Sequence, residues 1–255
     1  MHSDAGKNTL DPPRAVSVYP GHRVLAMFPF FNEEGKLSRL AARMSPRHAD
    51  EFLGVNDGSS DNGPAELSAR SINFISQARQ GVGSCIKAAI QYAREHGFDI
   101  LVVMAGNGKD DPAQIPDLLR PILEGRADYV QGSRYLPGGS SPNLPLFRDL
   151  AIRALSIFFR LYTGEKCTDL TNGFRAYRLA VLDDPRIDIN QSWLDGYEFE
   201  YYIHWKAVEC GYRILEVPVT KTYPSGDVPY TKVVPFLGWW HMLRPFFLLS
   251  LRLRK

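Results

Sequence analysis

The feature that most constrains this chain is an alternation. From Arg23 to Tyr135, short apolar runs take turns with stretches of helical periodicity. "RVLAMFPF" is strand-like and "EEGKLSRLAARM" is helical, and "EFLGVN" runs into the turn "DGSSDNG". "INFIS" is a third strand, "GSCIKAAIQYAREHG" a helix closed by Gly97, and "DILVVM" and "ADYVQGSRY" a fourth and a fifth strand. Strands alternating with helices of this length imply parallel βαβ units. Continuous apolar runs such as Ile100 to Met104 suit strands covered on both faces. The expected class is therefore α/β, with a mostly parallel central sheet flanked by helices. In such sheets ligands gather where the strands end.

The second half reads differently. "YLPGGSSPNLP" is a loop, "LFRDLAIRALSIFFRLYTG" an amphipathic helix ending at Gly164, and "CTDLTNGFRAYR" irregular. "GYEFEYYIHWKAVECG" is a helix ending at Gly211, and "YRILEVPVTKTY" a last strand. With 255 residues, 44% of them hydrophobic, the chain can bury a sizeable core in one domain. A net charge of +2 gives no reason to expect nucleic acid as a partner. Cys85, Cys167 and Cys210 are odd in number and far apart, which suits neither a disulfide framework nor a zinc site. They point to a reducing, cytoplasmic compartment. Residues 1–21 are polar and lack the apolar core of a signal peptide, and are expected to form a loosely held tail. No run reaches the ~18 uncharged apolar residues of a spanning helix. The nearest, at the C-terminus, is broken by His241, Arg244 and Pro245.

Five stretches could carry chemistry. In "FPFFNEE", Pro29 breaks a strand and places Phe31, Asn32 and Glu33 on its carboxyl-end loop. A ring can stack on a nucleobase and a carboxylate can accept from a base N–H; equally, Phe31 could be core and Asn32 a helix cap. In "VNDGSSDNG", Asp57 is placed to grip a base or ribose, or simply to form a turn. "RQGVGSCIKAA" puts Gly81 and Gly83 before a helix, yet Ile86 stands where a dinucleotide fingerprint needs a third glycine. In "QGSRY", Arg134 is a fixed fork suited to phosphate or to a surface salt bridge. In "MAGNGKDDP", an apolar strand ends in Ala105, Gly106, Asn107 and Lys109, where a metal-bound phosphate would call for carboxylates.

The order of these stretches along one βαβ series resembles glycosyltransferase family 2, with the GT-A fold. The likeness is greatest to the polyprenyl-phosphate branch, of the dolichol-phosphate mannose synthase type. "TDLTNGFRAYRLAVL" is similar to that branch's acceptor-side motif, and "GYEFE" and "EVPV" follow at the expected places. The resemblance spans about residues 23 to 235 and implies a single catalytic domain over 22–232. It implies that Pro29, Phe31 and Glu33 hold the nucleobase, with Asp57 beside them and Asn107 near the donor. It places Arg134 against the donor diphosphate or the acceptor, and Asp169, Arg175 and Arg178 in the acceptor-phosphate region. Thr231 and Lys232 look like the family's Ser-Lys near the donor phosphates.

One departure is plain. The family's strand ends in Asp-x-Asp, which holds Mg2+ or Mn2+ on the leaving diphosphate. Here Ala105, Asn107 and Lys109 take the matching positions, and neither Ala nor Lys can be such a ligand. Lys109 is the candidate substitute for the metal. Asp110 and Asp111 are the fallback ligands in a slipped alignment, with helix capping as their other role. The implied reaction is an inverting displacement that moves a sugar from a GDP- or UDP-linked donor to a polyprenyl phosphate. Transfer to a saccharide hydroxyl is the alternative, and would require a general base, with Glu200 first and Glu198 second. A catalytically silent nucleotide-sugar or lipid-binding subunit is the alternative of another class. Asp195 is a candidate cap for the helix that carries both glutamates. Residues 233–255, with paired Trp and terminal Arg252, Arg254 and Lys255, suit a membrane interface. Peripheral attachment to the cytoplasmic face is the expectation.

Overall fold

The computed structural model describes residues 17–224, 244–245 and 248–251. Its centre is a seven-stranded sheet: β1 (Val24–Phe30), β2 (Glu51–Asp57), β3 (Asn73–Gln77), β4 (Ile100–Val103), β5 (Tyr129–Ser133), β6 (Arg175–Arg178) and β7 (Ile214–Pro218). The spatial order is β3-β2-β1-β4-β6-β5-β7. Every neighbouring pair is parallel except those made by β6, which runs antiparallel to both β4 and β5.

The apolar runs explain the layering. Side chains alternate across a strand, so β1 sends Leu25 and Met27 into one core and Val24, Ala26, Phe28 and Phe30 into the other. The first core is closed by α3 (Val82–Glu95), α6 (Leu179–Leu182) and α7 (Glu198–Glu209), the second by α1 (Lys36–Ala41), α2 (Gly63–Ser68) and α4 (Ile115–Leu123). Because both faces are covered, no polar alternation was available to mark these strands.

Two elements depart from expectation. The stretch "CTDLTNGFRAYR" contains β6, which shows no apolar run. Tyr177 packs in one core and Ala176 in the other, while Arg175 and Arg178 occupy the strand's ends. The first helix is also shorter than its pattern, because Gly35 is left-handed at φ 74° and starts it late. The polar tail expected through residue 21 is anchored from Ser17, whose hydroxyl donates to Asp50 Oδ2 at 2.8 Å.

The start of α3 is seated against the turn before α7. Ser84 N donates to Asp195 O, and a Cβ placed on Gly83 would lie 1.9 Å from Leu194 O. Gly-to-Ala inside a helix ordinarily stabilises. Here Gly83→Ala is expected to cost at least ~1–3 kcal/mol through overpacking, read as a lower denaturant midpoint at unchanged slope.

Candidate active site

A cavity of about 370 Å3 opens at the carboxyl ends of β1, β2 and β4. Parallel strands put their ends on one edge of the sheet, so residues distant in sequence converge there. Pro29, Phe31 and Glu33 come from the end of β1, Asp57 from β2, and Ala105, Gly106 and Asn107 from β4. Because β6 is reversed, its entry loop reaches the same edge and contributes Thr171 and Gly173. The far wall is the first turn of α7, with Tyr197, Glu200 and Tyr201. The structure thus brings together six of the residues singled out in sequence: Pro29, Phe31, Glu33, Asp57, Asn107 and Glu200.

Local bonds explain their placement. The Arg79 guanidinium lies 3.4 Å from the centre of the Phe31 ring, a cation–π stack that fixes the ring at the rim. Asp57 is buried, and one carboxylate receives Gln80 N at 2.9 Å and Gly81 N at 3.0 Å, so it shapes the loop that starts α3. Gly106 passes so close to β1 that a Cβ would meet Pro29 O at 2.4 Å. Burial first, then Asp57, pushes the Cys85 thiol on the cavity floor up to about 12, which leaves it a neutral wall group. Glu200 Oε1 lies 3.7 Å from Arg175 Nε and covers Gly173.

Other candidates sit elsewhere. Arg134 and Asp169 form a buried ion pair one layer behind the cavity, with Nη2–Oδ1 2.6 Å and Nε–Oδ2 2.7 Å. Arg134 also donates to Thr171 Oγ1 and to the Tyr223 hydroxyl. Burial alone would lower this guanidinium, but the hydrogen bonds and charge of Asp169 raise it. Neither partner lines the cavity. Arg175 is fully buried and donates to the carbonyls of Leu170, Asn172 and Glu200, so it braces loops rather than facing a phosphate. Arg178 is at the wrong edge. Antiparallel pairing sets Arg175 beside Val103 at the end of β4 and Arg178 beside Ile100 at its start, where it donates to Ile122 O. Glu198 is buried against Arg244 at 3.1 Å, and Asp195 does not cap α7, whose cap position is Tyr197, but pairs with Lys87 at 2.7 Å. Thr231 and Lys232 lie outside the described residues.

Three cations on the cavity wall were not recognised in sequence: Arg79, Arg148 and Lys221. Arg148 comes from the first turn of α5 (Leu146–Thr163). Lys221 lies beyond β7, where the chain threads between two loops: Lys221 N donates to Ser140 O and Thr222 N to Lys109 O. Lys109 itself is half-buried and does not line the cavity; it lies 5.2 Å from the Tyr223 ring centre, with Arg148 5.8 Å from the same centre. Burial first, then the like charges of Lys221 and Arg148, bring the Lys109 ammonium down to about 8.

The strand end does not fit a divalent cation. Ala105 offers no ligand. Asp110 is wholly buried, one oxygen taking Ala105 N at 2.8 Å and the other the Lys221 ammonium at 2.6 Å. Asp111 accepts from Ala113 N as a helix cap and faces Arg43 at 4.0 Å. Among the described residues no three His, Cys, Asp or Glu side chains come together. The fallback ligands Asp110 and Asp111 are thus committed to other bonds.

A second buried network ties the sheet to α7. His204 Nδ1 bonds Gln131 Oε1 at 2.8 Å and the Tyr129 hydroxyl at 3.0 Å, with Arg175 donating to that hydroxyl. Burial first, then Arg175, holds the His204 pKa well below the ordinary range.

A family model described as glycosyl transferase family 2 matches residues 26–184. The chain is 32% identical over 217 residues to polyprenol monophosphomannose synthase of Mycolicibacterium smegmatis, covering 81% of this chain and 80% of that protein. It is also 32% identical over 231 residues to undecaprenyl-phosphate mannosyltransferase of Micrococcus luteus, covering 85% and 93%. Among solved structures, glucosyl-3-phosphoglycerate synthase of Mycobacterium tuberculosis shares the fold with a TM-score of 0.67 at 17% identity, over 89% of this chain and 82% of that one. The same enzyme with Mg2+ and UDP gives 0.66 at 17% identity, over 89% and 80%.

Two outcomes check the buried chemistry. Asp169→Ala leaves an uncompensated guanidinium in the interior and is expected to cost ~3–5 kcal/mol of stability, whether or not substrate is present. His204 stays neutral in the fold while an unfolded His takes a proton below about pH 6.5. Its contribution is therefore lost as pH falls, by ~2 kcal/mol between pH 6.5 and 5. His204→Phe should flatten that part of the stability–pH curve.

Proposed function

The chain belongs to glycosyl transferase family 2, and we propose that it moves a sugar from a nucleoside-diphosphate donor to a polyprenyl phosphate. One observation carries the choice of acceptor. The helix α5 gives Arg148 to the cavity and, on its outer face, leaves Leu146, Phe147, Leu150, Phe158 and Leu161 exposed. An apolar face of this extent marks a contact with lipid or another apolar body. It adjoins a cavity whose lining includes Arg148 and Lys221, which suits an acceptor that is a phosphate at one end and a hydrocarbon at the other. The named relatives, a polyprenol monophosphomannose synthase and an undecaprenyl-phosphate mannosyltransferase, agree with that chemistry.

The donor base is proposed to lie between Phe31, with Arg79 behind it, and Asp57, Pro29 and Glu33. That arrangement suits a GDP- or UDP-linked sugar, with Asn107 towards the diphosphate. Mg2+ or Mn2+, present with UDP in the glucosyl-3-phosphoglycerate synthase structures, meets no matching ligand set at this strand end, and no step is assigned to it. The reaction is a single inverting displacement. The anionic acceptor oxygen attacks the anomeric carbon, and the bond to the donor diphosphate breaks. A phosphate acceptor is already ionised and needs no base. No helix among the described residues is long and apolar enough to cross a membrane, and we place the protein peripherally on the cytoplasmic face, seated on α5. Leu249 is buried in the main core while Leu251 is exposed, so the C-terminal segment expected at the interface is in part a packing element.

Transfer to a saccharide hydroxyl remains a second reading because Glu200, a potential base, stands on the cavity wall. The full chain should be incubated with GDP- and UDP-linked hexoses and polyprenyl phosphate in vesicles. Lipid-phosphate-linked sugar is the expected product. Glu200→Gln should then lose less than ~10-fold in kcat, against ~10²–10⁴-fold if it were a general base. Sugar on saccharide acceptors alone would refute the lipid acceptor, and donor binding without turnover would favour a silent subunit.

A further inference from the structure

We infer that Lys221, backed by Lys109, takes the place of a divalent cation on the departing nucleoside diphosphate. The inference rests on the transferase reading and adds how the leaving group is stabilised.

The geometry is particular to the end of β4. The carboxylate of Asp110 bridges two groups, the backbone N–H of Ala105 and the ammonium of Lys221. Through Asp110 the ammonium is tied to Ala105, two residues past the end of β4, the position where a metal-ligating carboxylate would otherwise begin. It is held from behind by Asp110 and by Asn172 Oδ1 at 3.3 Å, while its side chain lines the cavity. The backbone of the same residue is clamped to Ser140 O at 3.0 Å, so the charge is positioned before any ligand arrives.

The charges nearby point the same way. Lys109 and Arg148 flank the Tyr223 ring, and Arg134 donates to its hydroxyl. Arg134 is neutralised by Asp169 and Lys221 in part by Asp110. After these pairings Lys109 and Arg148 leave this wall positive, although Glu33, Asp57 and Glu200 also line the cavity, and that charge disfavours a dication beside it and favours an anion. A preformed cationic site is what a leaving diphosphate needs, since its charge grows as the bond breaks.

The charges balance. A donor with two diphosphate charges and a doubly ionised phosphate acceptor give a phosphodiester with one charge and a nucleoside diphosphate with three. The electron pair of the broken C–O bond goes to the β-phosphate oxygen. No proton moves, so an ammonium can serve without acting as an acid.

The test is calorimetric titration of the full chain with UDP, GDP and CDP, first in EDTA and then with excess Mg2+ or Mn2+. One nucleotide is expected to bind in EDTA. Added cation should leave its affinity within about threefold or weaken it, because chelation removes the charge that the lysine reads. Lys221→Met should weaken binding by about ten- to a hundredfold in EDTA, the range for a lost charged hydrogen bond. The unmutated measurement stands even if that variant folds poorly. Binding only when Mg2+ or Mn2+ is added would overturn the inference and leave the transferase reading intact. No binding of any of the three under either condition would overturn both.

Discussion

The Arg134–Asp169 ion pair holds the site edge together. Arg134 closes β5, Asp169 begins the turn that leads into β6, and the Tyr223 hydroxyl joins them from the segment beyond β7. Glu216 of β7 accepts from Thr168 N and Asp169 N, so the turn is fixed from the other side as well. A buried pair of this kind adds little over an apolar core, yet losing one partner leaves a bare charge inside. What it secures is position. Three chain segments that share no sequence proximity are locked in register, and the cavity wall is built on them.

The cavity wall carries the chemistry. Asp110, buried at the end of β4, takes the ammonium of Lys221 across 111 residues of chain. The strand-end loop and the segment after β7 therefore form one unit. Arg148 approaches from α5, whose outer face is apolar. A cationic pocket beside an apolar surface suits a reaction between a nucleotide sugar and a lipid phosphate. It also explains how Ala105 can stand where a ligand would be expected, because positive charge is already delivered by side chains.

The layered fold was legible because continuous apolar runs and helical periodicity alternate without interruption up to Tyr135. The meeting of Pro29, Phe31 and Asp57 at one cavity was legible too, since they stand at or just past the ends of β1 and β2. The other half was not, for three physical reasons. β6 has an arginine at each end and no apolar run, so its direction was invisible; with it went the fact that Arg175 and Arg178 belong to opposite edges of the sheet. Arg134 was seen as a phosphate fork, but its partner Asp169 is set by folding and not by spacing. Lys221 sits in "TKTY", whose sequence carries no sign that the chain doubles back to meet Asp110. Lys109 has the right chemistry but does not line the cavity, whereas Lys221 does.

Phosphorus NMR of the tightest-bound nucleoside diphosphate during addition of Mn2+ distinguishes lysine from metal at the leaving group. If lysine side chains hold the diphosphate, the bound α- and β-phosphorus lines should keep their width until Mn2+ strips the nucleotide into solution, since no paramagnetic ion sits beside them. Severe broadening of the bound lines at substoichiometric Mn2+, with the nucleotide still on the protein, would put a metal on the diphosphate and contradict the account.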